Sequence, residues 1–314
     1  MTLMQNKRIL ILINKKSDVI PIDRNWEPFR QGVADRMEAE VVMGTLNDLV
    51  FEVSKDGMRV YDPGRGFSID DFDLVVFRII RSQWARVAAC CSLLQAKGVP
   101  YIDTMYEPRA SSKYAGEFIR YTAGLPVIHT VFTNNQQLGQ LFKDPTQAPI
   151  QFPFILKDVN GRKGRLNFLV REHAQLEQIL ADNPEVEFIV QEFIPNEGDY
   201  RFLVMGGKVE LVIHRQAQSG SHLNNTSQGA VPRLVELSEF DEQVVQDALK
   251  SAAIESIQVA GIDVIFNKET GQHHILEVNS SPQLLTGAFP DLKMKAYADY
   301  LTSLLGAEVL QKVA

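Results

Sequence analysis

The sequence predicts an α/β protein built from two or three domains. Short, wholly apolar runs alternate with helical patterns through the first hundred residues. Arg8-Ile9-Leu10-Ile11-Leu12-Ile13-Asn14 and Phe72-Asp73-Leu74-Val75-Val76-Phe77-Arg78 read as parallel strands buried on both faces. Further along, strands come in pairs joined by tight polar turns such as Gly206-Gly207, the mark of antiparallel hairpins. The 314 residues are 45% hydrophobic and 23% charged, which suffices for more than one core.

The net charge of −7 offers no basic field for nucleic acid or an anionic membrane, so neither is an expected partner. No run approaches the roughly 18 apolar residues of a membrane span. The stretch before Ile9 is too short for a signal peptide. Cys90 and Cys91 are adjacent and cannot pair with each other. They fall in an apolar helical run and read as small core residues in a reducing compartment, so the expected location is the cytoplasm. No internal repeat or low-complexity tract is present.

The first domain is expected over residues 1–125. After the strand at Arg8–Asn14 come a helix over Trp26–Met37 and a strand over Ala39–Met43. Strands at Leu49–Val53 and Met58–Tyr61 flank the turn signal Asp56-Gly57. The strand Phe72–Arg78, a helix over Gln83–Ala96 and a short strand at Val99–Ile102 follow. Ligands of parallel sheets sit at the C-terminal ends of strands, which is where Arg78 falls, with Arg81 just beyond. A guanidinium there can hold a carboxylate in a two-pronged bond; two surface arginines are the competing reading. A helix opening near Tyr106 and reaching Thr122 carries Lys113 and stops at Gly124.

The second domain is expected over residues 126–191. It begins with a strand over Pro126–Phe132 and a helix over Asn134–Phe142, capped by Thr133 or Asn134. The strand Phe152–Lys157 ends in lysine. It leads through Asp158-Val159-Asn160-Gly161-Arg162-Lys163-Gly164-Arg165 into the strand Leu166–Val170. Glycine frees backbone N–H groups for phosphate oxygens, and Lys157, Arg162, Lys163 and Arg165 add positive charge. A helix over His173–Leu180 turns Leu176, Ile179 and Leu180 inward, and a strand over Glu187–Ile194 runs out to a connector.

The third domain is expected over residues 192–314. Strands Asp199–Met205 and Lys208–Arg215 form a hairpin about Gly206-Gly207. Asp199 and Arg201 are two apart and share a face, and an arginine held near an acid can neutralise a transferring phosphoryl group. A long helix over Asp241–Ile257 should bury Val244, Val245, Ala248, Leu249 and Ala252. A closing helix spans Phe289–Leu305. Strands Val259–Phe266 and Ile275–Asn279 fold into a hairpin about the polar turn Asn267–Gln272. Glu277 and Asn279 point the same way, and Asp263 lies on the partner strand. Two acids and an amide carbonyl are hard ligands of the kind Mg²⁺ takes beside nucleotide phosphates; a solvated acidic face is the alternative.

Leu276-Glu277-Val278-Asn279-Ser280-Ser281-Pro282, with Ala260-Gly261-Ile262-Asp263 before it, resembles the metal-binding end of the ATP-grasp ligases, and within them the RimK-type, glutathione-synthetase-like branch. The resemblance covers nearly the whole chain; it is strong from about Pro153 to Pro282 and weak before Arg78. It implies an ATP-grasp fold: a small N-terminal α/β domain followed by two subdomains that clasp ATP. The implied reaction joins a carboxylate to an amine through an acyl phosphate, releasing ADP and phosphate. The implied cofactors are ATP and two Mg²⁺ ions, with Mn²⁺ as a substitute, held by Asp263, Glu277 and Asn279. Lys113 and Lys157 match the two nucleotide lysines, and Gly161, Gly164 and Arg165 belong to the lid loop. The Gln191-Glu192-Phe193-Ile194 segment would hold adenine through the backbone of Glu192 and Ile194, with Glu197 on the ribose hydroxyls. Asp199-x-Arg201 matches the family's Asp-x-Arg, whose arginine neutralises the phosphoryl group. Arg215 is assigned the carboxylate or acyl phosphate, Asn225 a catalytic place and Arg78 a substrate carboxylate; His214 is given no role.

The chain departs from the pattern in three places. Ser112 stands where relatives often have Asp, Leu166 where a glycine is common, and Leu223 where an arginine is common. Losing that arginine would leave a second substrate carboxylate unpaired, so the substrate is expected to place an apolar or neutral group near Leu223. The expected partners are a small-molecule or peptide carboxylate and an amine, with a homo-oligomer left open. Two alternatives stand beside the ligase: macrocyclisation of a precursor peptide, and an ATP-binding module that has lost its chemistry.

Overall fold

A computed structural model describes residues 7–14, 22–54, 57–80, 83–102, 113–161, 165–216 and 231–306. The chain divides into two compact units: Met1–Arg109 with Ser256–Val259 and Ser280–Ala314, and Ala110–Glu255 with Ala260–Asn279.

In the first unit, β1 (Lys7–Ile13) pairs in parallel with β2 (Ala39–Thr45) on one side, its other neighbour being the strand Leu74–Arg78. Ile9 to Ile13 are wholly buried, as a strand covered on both faces requires. Helix α1 (Ile22–Ala34) packs on β2 and on the closing helix Pro290–Gly306, with the Phe29 and Tyr297 rings 5.9 Å apart. A separate antiparallel sheet is made by β3 (Val50–Ser54), β4 (Gly57–Asp62) and β5 (Phe67–Ser68). Strand β6 (Leu74–Arg78), helix α2 (Trp84–Lys97) and strand β7 (Tyr101–Ile102) complete the parallel order β2-β1-β6-β7. Helix α2 buries Val87, Cys90, Cys91, Leu93 and Leu94, so both cysteines are core residues. It ends where Gly98 takes a left-handed φ of 68° and donates its N–H to Gln95 O, a stop that glycine makes without strain.

The second unit begins with α3 (Lys113–Thr122). Strands β8 (Thr130–Phe132), β9 (Phe154–Asp158), β10 (Asn167–Val170) and β11 (Phe188–Glu192) form an antiparallel sheet in the order β10-β9-β11-β8. Helices α4 (Asn135–Leu141) and α5 (His173–Asp182) cover it around Leu138, Phe142, Phe154, Leu156 and Phe188, with Leu176, Ile179 and Leu180 inward. Asn134 caps α4, accepting from Gln137 N at 2.9 Å. The second sheet comprises β12 (Asp199–Met205), β13 (Lys208–Gln216), β14 (Val231–Val235), β15 (Val259–Phe266) and β16 (His273–Asn279), in the order β14-β13-β12-β15-β16. Helix α6 (Glu242–Ile254) packs against it. Gly206 and Gly207, at φ 56° and 79°, close the β12–β13 hairpin as a two-residue turn that requires positive φ at both positions.

Three expectations change. The strand predicted over Pro126–Phe132 is paired only from Thr130, because Pro126 has no N–H and its carbonyl is taken by Ile275 N at 2.9 Å. On α6, Val245 and Leu249 are half-buried, while the polar Asp247 and Ser251 are buried. Asp247 is satisfied by His273 Nε2 at 2.9 Å and Gln243 Nε2 at 2.8 Å, and Ser251 Oγ donates to Ala248 O at 2.7 Å. Strand β14 is an addition to the predicted elements.

Candidate active site

The hairpin β15–β16 brings its oxygen-bearing side chains together. Asp263 lies directly opposite Glu277, and Gly261 opposite Asn279, so the three side chains share a face. The turn between the strands is fixed by Asn267, whose Oδ1 accepts from Glu269 N at 2.9 Å. Asn279 Nδ2 donates to Gly261 O at 3.2 Å and Asp263 Oδ2 at 3.3 Å, which leaves its amide oxygen without a donor among the described residues. Glu277 is half-buried and has neither hydrogen bond nor ion pair among the described residues. Two carboxylates and a free amide oxygen fit a hard divalent cation.

A row of alternating charges runs across the sheet beside this face. Arg201 Nε and Nη2 donate to Asp263 Oδ1 and Oδ2, each at 2.6 Å. Asp263 Oδ1 also meets Arg215 Nη2 at 2.9 Å, and Arg215 Nε donates to Asp199 Oδ1 at 2.7 Å. The order is Asp199, Arg215, Asp263, Arg201. Asp199 and Arg201 share a strand and a face, and each finds its partner on a neighbour, Asp199 across β12–β13 and Arg201 across to β15. Burial pushes Asp263 up, but Arg201 and Arg215 outweigh it and hold this carboxyl below its ordinary value. Asp199, at the buried end of the row, shares Arg215 with Asp263, and burial pushes it up to about 6. Burial lowers Arg215 less than Asp263 and Asp199 raise it, so it stays charged.

The cations of the first sheet lie close by in the same unit. Lys157 is the penultimate residue of β9 and is 8% exposed, with no hydrogen bond or ion pair among the described residues. Burial lowers its pKa, the field of Glu277 raises it, and the like charge of Lys113 lowers it again. Lys113 is engaged: Nζ donates to Asp158 O and Gly161 O, each at 2.7 Å, and so grips the start of the glycine loop. A Cβ on Gly161 would lie 2.8 Å from Arg165 O, so only glycine fits there. Arg165 is exposed. Leu166, where relatives often carry glycine, holds a left-handed φ of 50°, a conformation that glycine reaches without penalty. Gly164 lies outside the described residues, as do Arg162, Lys163, Leu223 and Asn225.

The connector after β11 is tied down at its carbonyls. Asn196 Nδ2 donates to Ile194 O at 2.8 Å, Lys268 N to Pro195 O at 2.8 Å, and Glu192 N is taken by His129 O at 2.9 Å. Ile194 is buried with Ile128 and Ile265, while its N–H has no partner among the described residues. Phe193 is half-buried and Glu197 exposed. Gln191 is anchored through its side chain. Its side chain is buried and donates to Thr130 Oγ1 at 2.8 Å and to Glu117 Oε1 at 3.1 Å.

Glu117 belongs to a cluster absent from the sequence reading. Arg120 Nη2 meets Glu117 Oε1 at 3.2 Å, and Arg120 Nη1 meets Glu255 Oε1 at 2.5 Å, all nearly buried. The signal was available: Lys113, Glu117 and Arg120 stand at i, i+4 and i+7 of one helix and therefore share a face. Arg78 is also placed differently. It is 4% exposed, its guanidinium lies 5.2 Å from the Phe29 ring and 5.4 Å from Tyr297, and Nη2 donates to Pro282 O at 3.2 Å. It is packed into the first unit rather than presented as an open fork.

The RimK-like ATP-grasp domain model matches residues 121–301. The chain belongs to that ATP-grasp family. It is 32% identical over 215 residues to the tetrahydromethanopterin:alpha-L-glutamate ligase of Methanosarcina acetivorans, covering 60% of this chain and 65% of that one. It is 34% identical over 137 residues to a probable alpha-L-glutamate ligase of Sodalis glossinidius, covering 42% and 44%. The chain thus spans about half to two-thirds of the length of these relatives. Among solved structures, the ATP-grasp ligase PsnB complexed with minimal precursor, Mg and ADP aligns with a TM-score of 0.64 at 15% identity, over 95% of this chain and 98% of that one. The D-alanine–D-alanine ligase of Bacillus anthracis complexed with ATP aligns at 0.60 and 16% identity, over 95% and 94%. These likenesses establish the ATP-grasp fold. No helix among the described residues is long and apolar enough to cross a membrane.

Proposed function

We propose that this RimK-like ATP-grasp protein is an ATP-dependent carboxylate–amine ligase. ATP transfers its γ-phosphoryl group to a substrate carboxylate. An amine then attacks the acyl carbon, phosphate leaves, and an amide, ADP and phosphate result. The observation that carries the reading is the meeting, on one sheet, of the Asp263–Glu277–Asn279 face with the charge row of Arg201 and Arg215. No covalent nucleophile is required, so positioning and charge neutralisation supply the catalysis.

In this reading residues 126–191 form the nucleotide lid and 192–314 the catalytic part, with residues 1–125 before them. Lys157 is a buried cation lacking an anion, the condition a phosphate would relieve. Lys113 shapes the loop over the phosphates together with Gly161, Gly164 and Arg165. The unpartnered N–H of Ile194 donates to the adenine ring, Gln191, Glu192 and Phe193 frame the base, and the Glu197 carboxylate accepts from the ribose hydroxyls. Arg201 neutralises the phosphoryl group, and Arg215, braced by Asp199, does the same for the carboxylate; Asn225 is assigned to the same reaction from the sequence. Asp263, Glu277 and Asn279 would hold two Mg²⁺ ions, or Mn²⁺ in their place, which when bound would offset the phosphate charge.

The test is ADP release from ATP and Mg²⁺ over a panel of amino acids and peptides. Release that depends on both a carboxylate and an amine, with the amide found by mass, is the expected result. A peptide that loses one water per ADP with no free amine added would point instead to macrocyclisation. Tight ATP binding without turnover on any substrate would leave a binding module.

A further inference from the structure

The connector of residues 194–198 is held at its far end by a side chain that the ligase chemistry leaves unused. His214, on β13, points its Nε2 at the backbone carbonyl of Glu197, 3.1 Å away. A carbonyl only accepts, so Nε2 carries the proton and His214 is the donor. The ring lies flat on Tyr200, with centroids 4.4 Å apart and planes 20° apart, and Tyr200 is itself edge-on to Phe240 at 5.2 Å and Phe266 at 5.4 Å. The imidazole is therefore fixed in plane by an aromatic stack and aimed by it. Burial lowers its pKa, the bond to Glu197 O raises it less, and the neutral ring keeps a single donor.

The backbone beside it leaves little freedom. Gly198 holds φ at 120°, and a Cβ there would lie 2.6 Å from Arg215 O and 2.7 Å from His214 Nε2. Gly198 N donates to Asn196 Oδ1 at 3.0 Å, and Asn196 Nδ2 donates to Ile194 O. The carbonyls of Ile194, Pro195 and Glu197 are thus each taken, by Asn196, Lys268 and His214. His214 supplies the last of these ties, at the residue whose carboxylate faces solvent.

We infer that His214 is a positioning residue for nucleotide binding, acting through the Glu197 carbonyl to aim the Glu197 carboxylate at the ribose of the nucleotide. The inference rests on the nucleotide reading given above, and the experiment separates the two. Three variants divide the roles of the ring: His214→Phe keeps the stack on Tyr200 and removes the donor, His214→Gln keeps a donor and removes the ring, and His214→Ala removes both. Affinity for ATP and for 2′-deoxy-ATP is measured by calorimetry with Mg²⁺, alongside a thermal melt of each variant.

Wild type should bind ATP more tightly than 2′-deoxy-ATP. His214→Phe and His214→Ala should weaken ATP binding roughly three- to tenfold, the range of one lost hydrogen bond, and should bring the ratio of the two affinities close to one. His214→Gln should recover part of that ratio, and kcat should change less than KM for ATP. If His214→Phe melts as a folded protein and keeps the wild-type ratio, His214 is ordinary packing and the inference is overturned. If wild type binds no nucleotide, or does not distinguish the two sugars, the nucleotide reading or the Glu197 assignment falls, and this inference falls with it.

Discussion

Replacing Lys157 by Met tests the site and the stability of the fold in opposite directions. The two side chains have similar length and volume, so Lys157→Met removes a charge without opening a cavity. In the ligand-free protein that charge is a burden. It is 8% exposed, has no hydrogen bond or ion pair among the described residues, and is pressed by Lys113 and Arg120; the fields of Glu277 and Glu117 offset this only in part. The lowered pKa fixes the sign: folding disfavours the charged form, so at neutral pH the ammonium costs stability. The variant should gain about 1–2 kcal/mol, read as a rise of roughly 2–6 °C in Tm. With nucleotide the sign reverses, because a charge-assisted bond to phosphate worth about 1.5–3 kcal/mol is lost, a fall of roughly 10- to 150-fold in affinity. Melting curves with and without an inert ATP analogue, with calorimetry, give both numbers. A variant that melts lower than wild type and binds the analogue equally well would refute the reasoning at both ends.

Glu277→Gln should abolish ADP formation while Tm stays within about 2 °C, since Glu277 makes no hydrogen bond or ion pair among the described residues; turnover at the wild-type rate would remove it from the metal face. Glu117 is raised above 4.5 by burial, against the pull of Arg120 and Lys157, so the native state binds more protons than the unfolded chain above that value. Its contribution to stability should therefore fall as pH rises from about 4.5 through its raised pKa, and Glu117→Gln should flatten that part of a melting profile. An unchanged slope in the variant would assign the proton uptake elsewhere.

The sequence was most informative where periodicity alone decides the outcome. A two-residue spacing on a strand put Glu277 and Asn279 on one face, and the polar turn at Asn267–Gln272 folded Asp263 opposite them. The same rule put Asp199 and Arg201 on one face as well, but it did not name their partners. Alternation states which face a side chain occupies, but its partner depends on strand order, and β15 enters beside β12 only in the folded sheet. Arg78 shows the same limit, since Phe29 and Tyr297, which enclose it, come from helices far apart in the chain. Glu117, Arg120 and Glu255 were missed because a charged face on a helix is ordinarily solvated, and only packing of α3 against α6 buries it. Leu166 is the reverse case. Its departure from glycine was visible in the sequence, but the left-handed backbone that gives the departure physical meaning was not.

Gly198 bears on how mutational data for this protein should be read. It has no side chain with which to bind, donate or transfer anything, yet any replacement drives a carbon into the Arg215 carbonyl and the His214 ring in a backbone region that other residues avoid. The displaced groups are a strand end carrying Arg215 and the turn carrying Glu197. A survey of all substitutions scored by activity would therefore rank Gly198 beside Glu277, with the same intolerance to every amino acid. The two separate only when abundance or melting is scored as well, because in the proposed function Glu277 would supply a ligand, whereas Gly198 supplies room for its neighbours.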